Sequence, residues 1–231
     1  MKVSAIIVAA GTGSRFGTKK QFKTLGKRPI LFHAISPFTE LEFISEIIVV
    51  VHEEDLRRLD RELKSRVSTK PLKIIKGGKR RQDSVYAGLK SVGPDVDLIC
   101  VHDGVRPFVT KKLIRTTVEA CQHHDGVVVA IPSRDTLKQV MGDQVIGTLD
   151  RTSIWQAQTP QVFMFGALSE AMEIARKERL YGTDEAALLE RIGYQIGVVT
   201  GSPFNIKITT PEDWPLAEAI FNGHLYLEAD R

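Results

Sequence analysis

Apolar and polar positions fall in blocks along this chain. Short runs that are apolar at nearly every position read as strands buried on both faces: Val3–Val8, Ile47–Val51, Leu72–Ile75, Leu98–Val101, Val127–Ile131 and Gln195–Val199, with a shorter one at Asn205–Ile208. Between them lie stretches with helical spacing, at Pro29–Phe38, Glu53–Ser65, Ser84–Ser91, Lys111–His123, Gly166–Arg179, Thr183–Arg191 and Pro211–Phe221. The last has Thr210 placed as N-cap, Pro211 in the first helical position, and Glu212 and Asp213 in its first turn. Such alternation, with strands apolar throughout, predicts an α/β fold built on a mostly parallel sheet with helices on both faces.

In such sheets, ligands bind beyond the carboxyl ends of the strands. Three loops there are rich in glycine and charge: Gly11–Lys20, Gly77-Gly78-Lys79-Arg80-Arg81, and His102-Asp103-Gly104-Val105-Arg106-Pro107. Glycines let backbone N–H groups approach phosphate oxygens, and Arg15 and Lys20 add positive charge. The first loop fits neither familiar glycine pattern. A P-loop needs Lys-Ser/Thr after a longer glycine spacing, and a dinucleotide fingerprint needs glycine where Phe16 stands. A nucleoside-triphosphate loop of a third kind remains, against the plain reading of a structural turn with solvated cations. Lys79-Arg80-Arg81 reads equally as ligand-binding or as a solvated surface loop.

Pro132 to Gln158 breaks the alternation. Asp135–Val140 and Val145–Arg151 flank a turn at Met141-Gly142-Asp143-Gln144, which predicts a β-hairpin projecting as an arm at about 132–158. A lone two-stranded hairpin is marginal in water, so Leu137, Val140, Val145, Leu149, Ile154 and Trp155 need cover. The same arm of a second subunit is the simplest cover; packing back on the parent domain is the alternative.

Composition narrows the class without naming it. A chain of 231 residues that is 42% hydrophobic and 26% charged suits one globular domain over 1–231, burying roughly 70% of its unfolded surface. At this length a protein with a single function is expected. No apolar run reaches a membrane span and no signal peptide opens the chain, so the expectation is a cytoplasmic protein with no membrane partner. Cys100 and Cys121 read as reduced packing residues. The charge of +4 is spread among glycine loops, which suits a small anionic ligand rather than nucleic acid.

Seven motifs taken together resemble the 2-C-methyl-D-erythritol 4-phosphate cytidylyltransferases. They are Ala9-Ala10-Gly11-x-Gly13-x-Arg15 with Lys20-Gln21; Gly77-Gly78-x-x-Arg81-x-x-Ser84-Val85-x-x-Gly88-Leu89; and His102-Asp103-Gly104-x-Arg106-Pro107. Asp135-Thr136-x-Lys138, Arg151-x-x-x-Trp155-x-x-Gln158-Thr159-Pro160-Gln161, Thr183-Asp184 and Asn205–Thr209 complete the set. The resemblance implies a Rossmann-like fold, a homodimer through the β-arm, CTP with Mg²⁺ or another divalent cation, and the sugar phosphate as second substrate. It implies that Ala10, Gly11, Gly13, Arg15 and Lys20 wrap the triphosphate, and that Gly78, Lys79, Arg81 and Ser84 line the cytosine and ribose pocket. Asp103 would stand near metal and sugar phosphate. Arg106, Thr136, Thr159 and Lys207 would surround the second substrate, with Arg151 supplied by the neighbouring subunit. Lys79 departs from the family, where this position is often acidic; a lysine cannot accept a hydrogen bond from cytosine's amino group.

The implied reaction is in-line attack by the sugar phosphate on the α-phosphorus of CTP, expelling pyrophosphate, with Arg15, Lys20 and Lys207 stabilising the charge. Ribitol 5-phosphate cytidylyltransferases share most of these motifs, and Val105 leans towards them. Ser84-Val85-x-x-Gly88-Leu89 and Arg151–Trp155 lean the other way. A nucleotide-binding regulator without catalysis is the rival of a different class, and the spread of cations around the reacting phosphate argues against it. His102 is expected to pack or hydrogen-bond, His123-His124 to suit a helix C-terminus, and Thr183-Asp184-Glu185 reads equally as a plain helix start.

Overall fold

The computed structural model describes residues 1–64 and 70–228. In chain order the elements begin with β1 (Val3–Ala9), the short ribbon β2 (Thr24–Leu25) and β3 (Arg28–Pro29), and α1 (Ile30–Thr39). Then come β4 (Ile44–Val51), α2 (Leu56–Lys64), β5 (Leu72–Lys76), α3 (Arg81–Lys90), β6 (Leu98–Asp103) and α4 (Lys111–Ala120). The second half holds β7 (Gly126–Pro132), β8 (Leu137–Met141), β9 (Gln144–Leu149), β10 (Trp155–Met164), α5 (Phe165–Glu178), α6 (Ala186–Arg191), β11 (Ile196–Thr200), α7 (Asp213–Asn222) and α8 (Leu225–Glu228). The expected helix end at Ser65 and the last three residues of the polar tail lie outside the described residues.

Seven strands form one sheet in the order β11-β7-β10-β6-β1-β4-β5. All neighbours run parallel except β10, which is antiparallel to both β6 and β7. Alternation of side chains along each strand sorts the apolar residues between two faces. Ala5, Ile7, Val49 and Cys100 pack with Leu31, Ile35, Leu59 and Ile114 of α1, α2 and α4. Ile6, Val50, Ile99 and Val101 pack with Val85, Leu168, Met172 and Leu189 of α3, α5 and α6. Both faces are covered, which is why these strands read as continuous apolar runs. A third cluster joins Phe16, Leu25, Phe108 and Ile208 to Ala217 and Ile220 of α7.

The chain leaves β1 towards β4 and β5 on one side, whereas β6 flanks β1 on the other. That reversal opens a crevice at the carboxyl ends of β1 and β6, the usual ligand position in such sheets.

Three expectations need correction. Asn205–Ile208 is not a strand; Ile208 N–H donates singly to the Val105 carbonyl, at 3.0 Å, and no ladder forms. The C-terminal helix begins at Asp213 rather than Pro211, because the Asp213 carboxylate accepts from the Thr209 and Thr210 N–H groups, at 2.7 and 2.9 Å, and holds the chain in a turn there. The hairpin occupies only β8 and β9, turning at Gly142 with φ of 63°. Residues 155–158 belong to β10, where Trp155 pairs with Pro132 and Gln158 with Val129.

Candidate active site

The first loop is fixed at both ends by one buried side chain. Gln21 Nε2 donates to the Ala9 carbonyl at 3.0 Å and to the Gly11 carbonyl at 2.9 Å. Between them Gly13 turns with φ of 75°, where an added Cβ would run into the Thr18 carbonyl, so only glycine fits. Phe16, buried, meets the Trp214 ring edge-on at 6.4 Å and ties the loop to α7. Lys19 turns away to Asp55 and Glu54, at 2.8 and 3.2 Å. Lys20 turns in, its ammonium donating to the Thr209 carbonyl at 2.9 Å. Burial lowers its pKa, and the like charges of Arg15 and Lys207 push the same way.

The second loop packs against the first. A Cβ on Gly77 would lie 2.5 Å from the Ala10 Cβ and 2.7 Å from the Ser84 Oγ, so glycine brings the two loops together. Ser84 Oγ accepts from Gly78 N–H at 3.2 Å and donates to the Arg80 carbonyl at 3.1 Å, holding the turn into α3. Arg80 stacks on Tyr181 at 3.3 Å.

Asp103, the last residue of β6, is the electrostatic centre. Its Oδ1 accepts from Arg81 Nε at 3.0 Å, and its Oδ2 lies 2.9 Å from Lys207 Nζ and 3.6 Å from Arg106 Nε. Burial alone would raise its pKa; Arg81, Lys207 and Arg106 overcome that and hold the carboxyl well below the usual carboxylate range. Arg81 in turn passes Nη1 to both oxygens of Glu185, at 2.7 and 2.6 Å. Burial pushes the Glu185 carboxyl up, with Arg81 opposing.

Behind Asp103 runs a chain of hydrogen bonds with one consistent direction. The Asp103 N–H donates to Thr159 Oγ1 at 3.1 Å, and that hydroxyl lies 2.9 Å from His102 Nδ1. His102 Nε2 lies 3.1 Å from the Arg106 carbonyl. A carbonyl can only accept, so the ring proton is assigned to Nε2 and Nδ1 takes the Thr159 hydroxyl. Complete burial pushes the imidazole down to about 4, keeping it neutral. The expectation of a hydrogen-bonding His102 agrees with this geometry.

These loops enclose a cavity of about 620 Å³. Matching the chain to protein families places residues 3–223 on the family described as 2-C-methyl-D-erythritol 4-phosphate cytidylyltransferase. This chain belongs to that family. The cytidylyltransferase of that name from Halalkalibacterium halodurans is 43% identical over 223 residues, covering 95% of this chain and 97% of its own. Its counterpart from Aquifex aeolicus is 44% identical over 218 residues, covering 94% and 96%. The crystal structure of 4-diphosphocytidyl-2C-methyl-D-erythritol synthase from Anaerococcus prevotii superposes with a TM-score of 0.86 at 30% identity, covering 96% of this chain and 98% of that one.

Against the pattern this cytidylyltransferase family implies, Ala10, Gly11, Gly13, Arg15, Lys20, Gly78, Lys79, Arg81, Ser84, Asp103 and Lys207 all line the one cavity. Arg106 and Thr159 lie a layer deeper, beside Asp103 and His102; Arg106 Nη1 donates to the Asn205 carbonyl at 2.7 Å. Thr136 and Arg151 stand exposed on the arm, outside the cavity, and Arg151 donates to the Arg134 carbonyl at 2.7 Å. Sequence reasoning missed His52, Glu53 and Lys76, which border the cavity beyond β4 and β5, and Glu185 behind it. His52 and Glu53 follow β4 and Lys76 ends β5, and the rule that placed the glycine loops also applies to them.

Proposed function

We propose that this chain transfers the cytidylyl group of CTP to 2-C-methyl-D-erythritol 4-phosphate, releasing pyrophosphate. One observation carries the reading: a single cavity joins the glycine loop and Lys20 to Asp103 and Lys207, so triphosphate and sugar phosphate can meet. A phosphate monoester has its second pKa near ~6 and is already largely ionised at neutral pH, so no general base is required. His102 could not serve as one, since both ring nitrogens are engaged and the ring is wholly buried. The chain's work is to hold two polyanions together and to stabilise charge spreading over the α-phosphate and the leaving group. Backbone N–H groups of the loop, Arg15 and Lys20 suit the triphosphate, and Lys207 stands where the incoming phosphate would meet it.

Among the described residues no group of three or more His, Cys, Asp or Glu side chains could cage a metal ion. Asp103 alone, with nucleotide phosphates as the remaining ligands, matches the way Mg²⁺ is commonly bound. When bound, Mg²⁺ would supply positive charge that offsets the charge of the phosphates. Lys79 borders the cavity and can only donate, so backbone groups are left to read the cytosine amino group.

The active unit is a homodimer closed by the arm. Val140, Met141, Val145, Ile146 and Leu149 are 42–69% exposed, which a two-stranded hairpin does not tolerate alone, and Trp155 at the start of β10 is 40% exposed. A partner's arm would cover them and bring Thr136 and Arg151 to the second substrate. Replacing Val145 and Ile146 together by aspartate is expected to give a monomer by light scattering, with turnover down at least ten-fold, because a charge buried without a partner opposes docking. A parent protein that is already monomeric would overturn the dimer. Cys100 and Cys121 are unpaired, and burial pushes the Cys121 thiol up to about 12, so both suit a reducing cytoplasm. No helix among the described residues is long and apolar enough to cross a membrane.

The deciding experiment measures pyrophosphate release with Mg²⁺ for CTP, UTP, ATP and GTP, each paired with methylerythritol phosphate and with ribitol 5-phosphate. Release with CTP and methylerythritol phosphate alone is expected. Release with ribitol 5-phosphate would reassign the second substrate, and tight CTP binding without release would favour a regulator.

A further inference from the structure

Glu185 lies outside the cavity lining and is 1% exposed, yet it is tied to the centre of the site through one side chain. Both its carboxylate oxygens accept from Arg81 Nη1, while Arg81 Nε donates to Asp103 Oδ1 at 3.0 Å. The guanidinium is therefore pinned at two of its three nitrogens. The third, Nη2, carries no hydrogen bond among the described residues, and the Arg81 side chain is 26% exposed and borders the cavity. A planar fork fixed at two points presents its remaining donors in one direction.

The bridge is a costly way to hold helices together. A buried ion pair gains little over apolar packing, because desolvation offsets the attraction. An apolar contact between α3 and the start of α6 would serve structure as well. What an apolar contact cannot do is orient Arg81 and draw its charge away from Asp103, which already faces Lys207 and Arg106. Glu185 does both.

We propose that Glu185 is a positioning residue for nucleotide binding and transfer: it locks Arg81 so that Nε orients Asp103 and Nη2 is aimed at the bound nucleotide. This rests on the cytidylyltransferase reading of the cavity. Glu185→Asp keeps the charge and withdraws the carboxylate by one methylene. Glu185→Gln keeps the length and removes the charge. Arg81→Lys removes the fork itself.

The test measures turnover, CTP affinity by calorimetry, and melting temperature for these variants and for Glu185→Asp combined with Arg81→Lys. A misplacement of about 1 Å costs on the order of 10²-fold in rate, so Glu185→Asp is expected to lose about that in kcat and to weaken CTP binding while melting close to the parent. The double variant should lose no more than Arg81→Lys alone. Glu185→Asp with parental turnover and CTP affinity would overturn the proposal, as would losses that multiply in the double variant. Should Glu185→Gln fail to fold, the charge-preserving Glu185→Asp still decides. A parent protein that binds CTP without turnover would sink the transfer reading, and CTP affinity in the variants would still test Glu185. A parent that does not bind CTP would overturn both.

Discussion

Lys20→Ala is expected to lower kcat by about 10²–10³-fold while leaving the protein folded. The ammonium forms no salt bridge among the described residues; it donates to the neutral Thr209 carbonyl at 2.9 Å, and the Asp213 carboxylate offsets its charge only in part. Burial and the neighbouring Arg15 and Lys207 charges depress its pKa, so the charged form is held at a cost in the free protein. A lysine whose folded pKa lies below its unfolded value destabilises the fold in full at pH below both values, and the penalty fades as pH rises through them. Removing it relieves repulsion, and the melting temperature should stay level or rise. Catalysis moves the other way. The same charge, aimed at a triphosphate whose α-phosphate gains charge in the transition state, is worth about 3–4 kcal/mol if it acts like other single electrostatic donors. Steady-state kinetics with a thermal melt separates the two effects. Near-normal turnover in an intact variant would mean that the first loop does not hold the triphosphate.

Most of the sheet was legible because burial on both faces leaves its mark as unbroken apolar runs such as Ile47–Val51 and Leu98–Val101. Strand β10 escaped for the opposite reason. Trp155–Met164 carries Gln156, Gln158, Thr159, Pro160 and Gln161, because its first half leads out from the arm and its middle passes behind the site. Gln158, Thr159 and Gln161 are buried there through hydrogen bonds to the Ser202 carbonyl, His102 and Asp184. Pro160 sits where the ladder with β7 is interrupted, between Gln158 and Gln161. Polar residues buried by specific partners do not look like a strand until those partners are known. The arm shows the same limit at its bounds, since its turn could be read locally whereas the end of sheet pairing at Pro132 and Trp155 could not. In the site, cations beside glycines were legible because phosphate binding needs them adjacent in sequence. Glu185 was not, since Thr183-Asp184-Glu185 also serves as a helix start and its Arg81 partner is 104 residues away.

Asp103→Asn should combine the largest loss of activity with the largest loss of stability in this chain. Arg81, Arg106 and Lys207 all face one carboxylate, and the substitution leaves three cations gathered with Glu185 as the remaining anion on Arg81. Removing one member of a buried ion pair typically costs about 3–5 kcal/mol, which for a chain of this size lowers the melting temperature by roughly 10 °C. Turnover should fall by at least about 10³-fold, since the carboxylate that holds Arg81 and Lys207 apart and in place is gone. The pH dependence gives an independent check. The folded carboxyl is held well below its unfolded value by the three cations, with burial opposing. Its contribution is therefore complete above the unfolded pKa of about 3.9 and is lost progressively as pH falls below that value. The gap in melting temperature between parent and variant should be constant from pH 7 to about 5 and should narrow steadily under more acid conditions. A variant that melts with the parent at pH 7, or a gap that widens on acidification, would show that Asp103 does not balance this cluster. CTP binding to the variant, measured at neutral pH where the gap is constant, then tells whether the cations collapse onto the nucleotide or repel one another out of register. Tighter binding with lost turnover is the expected pattern, because Lys207 and Arg106, without the Asp103 carboxylate, attract a triphosphate strongly while no longer presenting it in line for attack.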